Sequence, residues 1–335
     1  MKKTKIGLIA AMALFAGVSL TSCGESADFK VGILQYVTHD ALNKATEGFK
    51  AELEAKAKAA GKKISFVVKN PEADNAQLGT MATQLVRSCD LVLGNATPAA
   101  TQLVTARATE GKTNLPILFT SVTDPVDAKL VSSMKNHKEN VTGTSDLNPI
   151  EKQFEMMFDV DDEIDKIGFL YTVSEPNSKV QCDTAIEWLK SEKGFTDSNI
   201  FVQTVSDQSG ISAATTKLCN DGCDFIYLPT DNLMAANMTT ITNVTNDKHV
   251  PTMCGEESMV TNGGTFTISI SYEQLGHTTG EMAAKILFEG KKASEIDAVV
   301  TDDATKMVSL VNMNAVRSYG ITLSDAFKTK YKINN

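Results

Sequence analysis

Apolar runs broken by polar loops divide this chain into short strands alternating with longer amphipathic stretches. Residues 29–36 (FKVGILQY) form a compact apolar run ended by a loop, the mark of a buried strand. Residues 41–60 switch to helical spacing, with Leu42, Ala45, Phe49 and Leu53 on one face and Gly61 as a stop. A strand at 64–68, a helix at 76–86, a strand at 90–94, a helix from Pro98 and a strand at 116–122 continue the alternation. Strands separated by helices of this length predict βαβ units and a parallel sheet.

The pattern then restarts. Lys166-Ile167-Gly168-Phe169-Leu170 echoes Lys30-Val31-Gly32-Ile33-Leu34 at an offset of 136. Asp224-Phe225-Ile226-Tyr227 echoes Asp90-Leu91-Val92-Leu93 at 134, and Val250-Pro251 echoes Leu115-Pro116 at 135. Three echoes in order at a near-constant offset predict two doubly wound, Rossmann-like α/β lobes joined by a hinge, with the boundary near 140–146. The tail beyond Gly264 is too short for a third lobe. Its strand at 265–271, its helix near 272–288 and its last segment must pack onto lobes already built. The expected division is 29–144 plus about 272–303 for lobe 1, and 145–271 plus about 304–330 for lobe 2.

The N-terminus adds a different kind of segment. Lys2, Lys3 and Lys5 precede an uncharged apolar stretch at 6–20, too short to span a bilayer but suited to a signal peptide. Leu20-Thr21-Ser22-Cys23 then looks like a bacterial lipoprotein box. Residues 1–22 are expected to be removed, Cys23 to receive lipid, and 23–28 to serve as a tether. The protein is expected to be anchored to the cell membrane on its extracytoplasmic side. Loss of three lysines and no acid would take the formal charge from −9 to −12. This acidic balance speaks against nucleic acid as a partner. The absence of a heptad run or a second apolar segment points to a monomer. The remaining cysteines, Cys89, Cys182, Cys219, Cys223 and Cys254, are odd in number and irregular in spacing, so they read as small core residues rather than a disulfide framework. No His or Cys pair completes a zinc set with Cys219 and Cys223.

In open α/β sheets, ligands bind outside the carboxyl ends of the strands. In the first half those ends carry Tyr36-Val37-Thr38-His39, Ala96-Thr97-Pro98 and Thr120-Ser121-Val122-Thr123-Asp124, with Thr144-Ser145-Asp146 at the crossover. The second half offers Ser174-Glu175-Pro176-Asn177-Ser178, Thr230-Asp231-Asn232, Glu256-Glu257 and Ser271-Tyr272. The first set supplies hydroxyls and helix N-termini, which hold a carboxylate. The second supplies Asp231, Glu256 and Glu257, which suit an ammonium. A ligand with both groups close together is an α-amino acid, and an aromatic or large apolar one would find Tyr36, Tyr171 or Tyr272 for its side chain. The same residue types also cap helices, so each carries a purely structural alternative.

Enzyme signatures are missing. No G-x-G-x-x-G follows the first strand, and no G-x-x-x-x-G-K-[ST], H-E-x-x-H or G-x-S-x-G occurs. Ser121, His39 and Asp124 can be drawn as a hydrolase triad, but nothing in their spacing fixes the geometry. His137 and His249 read as surface loop residues, and His277 as a helix residue. No cofactor or metal is implied.

The motifs GILQYVTHDAL (32–42), NATPAA (95–100), FTSVTDPV (119–126), NVTGTSD (140–146), LYTVSEPNS (170–178), DFIYLPTDN (224–232) and LGHTTGEMAAKIL (275–287) give the chain a resemblance. It resembles the substrate-binding lipoproteins of ABC importers, within them the family associated with tryptophan, tyrosine and phenylalanine uptake. The resemblance covers nearly the whole chain after the leader. It implies a type I periplasmic-binding-protein fold, hinge closure on the ligand, and an ABC permease with its ATPase as partners. It further implies ligand contacts from Thr97, Ser121 and Thr123 in lobe 1, and from Ser145, Asn177, Ser178, Asp231 and Asn232 in the hinge and lobe 2. The chain departs from the family at TISISY (267–272), where relatives often carry an acid and this chain has Ser271. Either Glu256 or Glu257 then supplies the charge, or the ligand differs. A nucleoside or sugar ligand is the alternative on the same fold. The single Trp188, mid-helix, lowers the sugar reading.

Overall fold

The computed structural model describes residues 27–300 and 307–333. The leader, Cys23 and the start of the tether lie outside the described residues, as do 301–306 between the two lobes' tail segments.

The predicted alternation is present with ends shifted by one or two residues. Strand β1 (Phe29–Gln35), helix α1 (Asp40–Ala59), β2 (Ile64–Lys69), α2 (Asn75–Ser88), β3 (Leu91–Asn95), α3 (Thr97–Thr109), β4 (Ile117–Val122) and β5 (Val141–Ser145) build the first sheet and its cover. The second begins with α4 (Ile150–Val160), β6 (Ile167–Thr172), α5 (Pro176–Glu192), β7 (Ile200–Val205) and α6 (Ile211–Asn220). It continues with β8 (Phe225–Leu228), α7 (Asn232–Ala236), α8 (Met238–Lys248), β9 (Thr252–Cys254), α9 (Glu257–Thr261) and β10 (Phe266–Ile270). The chain then returns through α10 (Tyr272–Glu289) and β11 (Val299–Val300) to the first sheet. It ends on the second with β12 (Met307–Val311), α11 (Met313–Ser318) and α12 (Asp325–Tyr331).

The repeat read from the sequence is a repeat of topology. One sheet runs β11-β5-β4-β3-β1-β2 and the other β12-β10-β9-β8-β6-β7. The five-strand cores are equivalent and parallel; the sixth strand pairs in parallel in the first sheet and antiparallel in the second. Helices cover both faces, so alternate strand residues feed two cores. Val31, Ile33, Leu91 and Leu93 pack with Phe49 and Leu53 of α1 and Met282 of α10, whereas Leu34 and Val92 pack with Leu85 of α2 and Leu103 of α3. In the second sheet Phe154, Phe169, Tyr227 and Phe327 share one core, and Leu170, Leu218, Ile226 and Ile241 the other.

Helix α10 lies on α1 at backbone contact distance. A Cβ added at Gly276 would stand 2.1 Å from the Ala45 carbonyl oxygen, and one at Gly48 would stand 2.3 Å from that of Glu273. The two glycines interlock the helices, which fixes the returning segment against lobe 1 with Tyr272 at its first turn.

Two expectations about single residues fail. His137 is buried rather than on the surface, its Nε2 3.0 Å from the Ile296 carbonyl oxygen. Tyr171 stays half-buried on β6 and packs against the core under α5, away from the cleft. Trp188 stands mid-helix on α5 as expected, packed against Phe154 and Phe158 in the lobe 2 core. The five cysteines among the described residues are free thiols, and no helix among these residues is long and apolar enough to cross a membrane.

Candidate functional site

The carboxyl ends of β1, β3 and β4 meet those of β6, β8 and β9 across a cleft. A small, tightly closed cavity lies there, lined by His39, Leu42 and Ser121 of lobe 1, Asp146 and Tyr272 of the hinge, and Asn177, Thr230, Asp231, Asn232 and Glu256 of lobe 2. The lobes touch around it. Thr123 Oγ1 lies 3.2 Å from Thr230 Oγ1, and Gln181 Nε2 donates to the same Thr123 oxygen. Farther out, Asn262 Nδ2 donates to Asp40 at 3.0 Å and Lys44 pairs with Glu257 at 3.5 Å.

Lobe 1 reaches the cleft through strained backbone. Ala96, the residue before α3, has φ +91°, and Ser121 has φ +55° where the β4–β5 register shifts between Phe119 and Val122. Such conformations cost about 1–3 kcal/mol and collect where a binding site needs a side chain aimed against the local preference. The hydroxyls of Thr97 and Ser121 are buried and have no hydrogen-bond partner, as are Asn177 Oδ1 and His39 Nδ1. Buried polar atoms are almost always paired, so the three of these orphans that line the cavity, on Ser121, Asn177 and His39, call for an outside partner. Wider depressions elsewhere, such as that lined by Asp161, Cys223 and His249, contain no such atom among the described residues.

Lobe 2 supplies buried acids. Asp231 accepts from Thr172 N at 2.7 Å, Thr172 Oγ1 at 2.8 Å and Met234 N at 2.9 Å, so it caps α7 and also lines the cavity. Its carboxyl is held above the usual range by burial. Glu175 accepts from the backbone and side chain of Asn232 and from Leu233 N; burial and then the nearby Asp231 push it up to about 8. Glu256 caps α9 through Ser258, and burial pushes it up to about 7. Among the described residues no Lys or Arg pairs with any of these three carboxyls.

The hinge answers the departure at Ser271. That hydroxyl caps α10 by accepting from Gln274 N, while Tyr272 OH donates to Asp146 Oδ2 at 2.7 Å. An acid does stand beside the tyrosine, from the other hinge strand. Burial also raises the Asp146 carboxyl. Ser145 is spent on the Thr123 carbonyl and the Leu147 N–H.

Other sequence candidates go elsewhere. Val37 and Val122 belong to the lobe 1 core. Thr38 is exposed and bonded to Glu72 at 2.6 Å. Glu257 turns out to Lys44, leaving Glu256 as the acid at the cavity. Tyr36 is buried at the end of β1, its hydroxyl raised by burial and by Glu175 and Asp231. Ser178 is buried beside Asp231. The triad does not form: His39 Nε2 is engaged by Asn232, Ser121 Oγ is unpaired, and Asp124 caps the following turn through Val126 N and Asp127 N. Sequence reasoning gave no role to Glu175 or Gln181. Gln181 sits one helical turn after Asn177, a spacing that would have found it. Glu175 stands just past a strand end, but nothing local marks it as buried.

A family profile described as "ABC transporter substrate binding protein" matches residues 30–331. The chain is 32% identical over 302 residues to a "Tyrosine-binding protein" of Clostridioides difficile (strain R20291), covering 90% of this chain and 84% of that protein. Among solved structures, it is similar to a Streptococcus pneumonia ABC domain in complex with L-Trp, at 30% identity and TM-score 0.79, covering 90% of this chain and 98% of the other. A ligand-free, open substrate-binding protein with adhesive properties from Clostridium difficile is also 30% identical, with TM-score 0.65 over 89% of this chain and 96% of its own. The two-lobed fold, the cleft and these matches lead to one conclusion: the chain belongs to the family of ABC transporter substrate-binding proteins.

Proposed function

We propose that this protein is the extracytoplasmic receptor of an ABC importer, closing on an L-α-amino acid with an aromatic or large apolar side chain and delivering it to the permease. One observation carries the reading. At a single interlobe cavity the unpaired Ser121 hydroxyl and Asn177 amide oxygen meet the buried carboxyls of Asp231 and Glu256, with no Lys or Arg lining it among the described residues. A zwitterion supplies both missing partners. Thr97 and Ser121 would take its carboxylate, aided by the α3 N-terminus, and Asp231 its ammonium. Tyr36 and Tyr272 would flank its side chain. The relatives that bind tyrosine and tryptophan support this ligand class. At equal identity the chain superposes better on the L-Trp complex than on the open relative, which supports a closed form here. Its role is then binding and release, without catalysis.

Titration calorimetry with the twenty amino acids, run in two buffers of different ionisation enthalpy, tests the reading. An arriving ammonium stabilises ionised carboxylates, so groups raised to about 8 and about 7 lose protons on binding near neutral pH. Binding should release protons, more at pH 6 than at pH 8. For the unliganded closed form the sign follows from the same rise: stability from these acids is full below their ordinary range and is lost as pH climbs through 7 to 8. Heat from no amino acid would end the proposal.

The lipoprotein box extends the reading to a tether at Cys23. Cys23→Ser should abolish lipid labelling and release the protein from membranes. Unchanged membrane retention would remove the anchor.

A further inference from the structure

Helix α1 starts after His39, which occupies the N-cap position without capping the helix with its side chain. Side chains there ordinarily accept from the first turn's N–H groups. The imidazole instead crosses the cleft, with Nε2 3.2 Å from Asn232 Oδ1, 193 residues away on lobe 2. Asn232 is not free to reverse its amide. Its Nδ2 and its backbone N–H both donate to the Glu175 carboxyl, which leaves Oδ1, an acceptor only, toward the ring. His39 Nε2 therefore carries the proton. In a neutral imidazole the other nitrogen is then a lone pair, and burial keeps the ring neutral by lowering its pKa to about 4. That nitrogen, Nδ1, is buried with no donor among the described residues, on a residue that lines the cavity. A buried acceptor without a donor is costly to leave unmade.

We propose that Glu175, Asn232 and His39 form a relay that sets the His39 tautomer and presents Nδ1 as an acceptor for the ligand's α-ammonium. The inference rests on the amino-acid reading above and gives the amine a second partner besides Asp231. One ring then reads both events: Nε2 finds its partner when the lobes close, and Nδ1 when the amine is present. His39 is the binding group, and Glu175 and Asn232 are positioning residues that act through it.

The test compares L-tryptophan and L-tyrosine with their deaminated propionic-acid analogues by calorimetry on wild type, His39→Gln and His39→Asn. Glutamine keeps an amide donor near Nε2 but offers no acceptor at Nδ1; asparagine offers an amide oxygen near Nδ1 but does not reach Asn232. His39→Gln should lose tenfold or more of the preference for the amine-bearing ligand, the loss expected for one hydrogen bond to a charged group. His39→Asn should keep the preference within about threefold while binding both ligands more weakly. A merely structural role would weaken both ligands equally and leave the preference intact in both variants, which overturns the proposal. Should His39→Gln fail to fold, ¹⁵N shifts of the histidine in the L-tryptophan complex decide: protonated Nε2 supports the relay, protonated Nδ1 refutes it. Wild type that binds no amino acid defeats the proposed function and this inference together. Wild type that binds, with preference unchanged in His39→Gln, defeats this inference alone.

Discussion

Asp231→Ala should weaken amino-acid binding by at least about 30-fold and lower the melting temperature as well. Removing one partner of a desolvated charge pair costs about 2–5 kcal/mol of affinity, and each 1.4 kcal/mol is about tenfold. The second effect arises because the same carboxyl serves the fold. Without it the Thr172 N–H, 2.7 Å away, is left unpaired in the interior, and α7 loses its cap at Met234 N. An unpaired buried donor costs about 1–3 kcal/mol and a lost cap about 1 kcal/mol. The two roles separate by measurement. Calorimetry reads the affinity of the folded fraction, and thermal denaturation without ligand reads the stability. A lowered melting temperature with near-native affinity would leave Asp231 a cap and take it out of the binding site.

The largest effect on folding is expected from a single methyl group. Gly276→Ala places a Cβ 2.1 Å from the Ala45 carbonyl oxygen and 2.8 Å from Phe49 N, so α1 and α10 must part. Overpacking against backbone, which cannot rotate away, should cost at least about 2 kcal/mol. Gly79→Ala on α2 is the natural comparison. Its nearest neighbour is the flexible Gln102 amide at 3.4 Å, so there the ordinary gain of about 0.5–1 kcal/mol for replacing a helical glycine should appear. The same substitution in two helices should thus move stability in opposite directions under chemical denaturation. A stabilised Gly276→Ala would show that the two helices do not meet as described.

The difference between these glycines illustrates what a sequence reveals and what it hides. Periodicity is a local property, so the strands around Val31 and Phe169, the helix carrying Phe49 and Leu53, and the repeat near an offset of 135 are all legible. Strand ends are legible too, because the fold class dictates where ligands sit. Side-chain direction beyond a strand end is not, since alternation stops with the ladder. Hence Thr38 turns outward to Glu72, Val37 goes to the core, and Glu256 and Glu257, one residue apart, divide between the cavity and the rim. His137 was hidden for another reason: the carbonyl that buries it belongs to Ile296, 159 residues on. Glu175 was hidden likewise, because its partners Asn232 and Leu233 lie on a different strand-end loop. Pairings between distant loops leave no trace in local composition.

The closed rim has a kinetic meaning. Asp40 with Asn262, Lys44 with Glu257, and Thr123 with Thr230 and Gln181 ring the small closed cavity. In the proposed closed form, cargo held this way would escape only when the lobes part. Residence time is then the waiting time for that opening, a domain motion in the microsecond-to-millisecond class slowed by every contact the cargo adds. Two amino acids that permit the same closure and make the same contacts across it would share nearly one escape rate. Unloading therefore falls to whatever forces the lobes apart, and a permease gripping both lobes would act as the release clock.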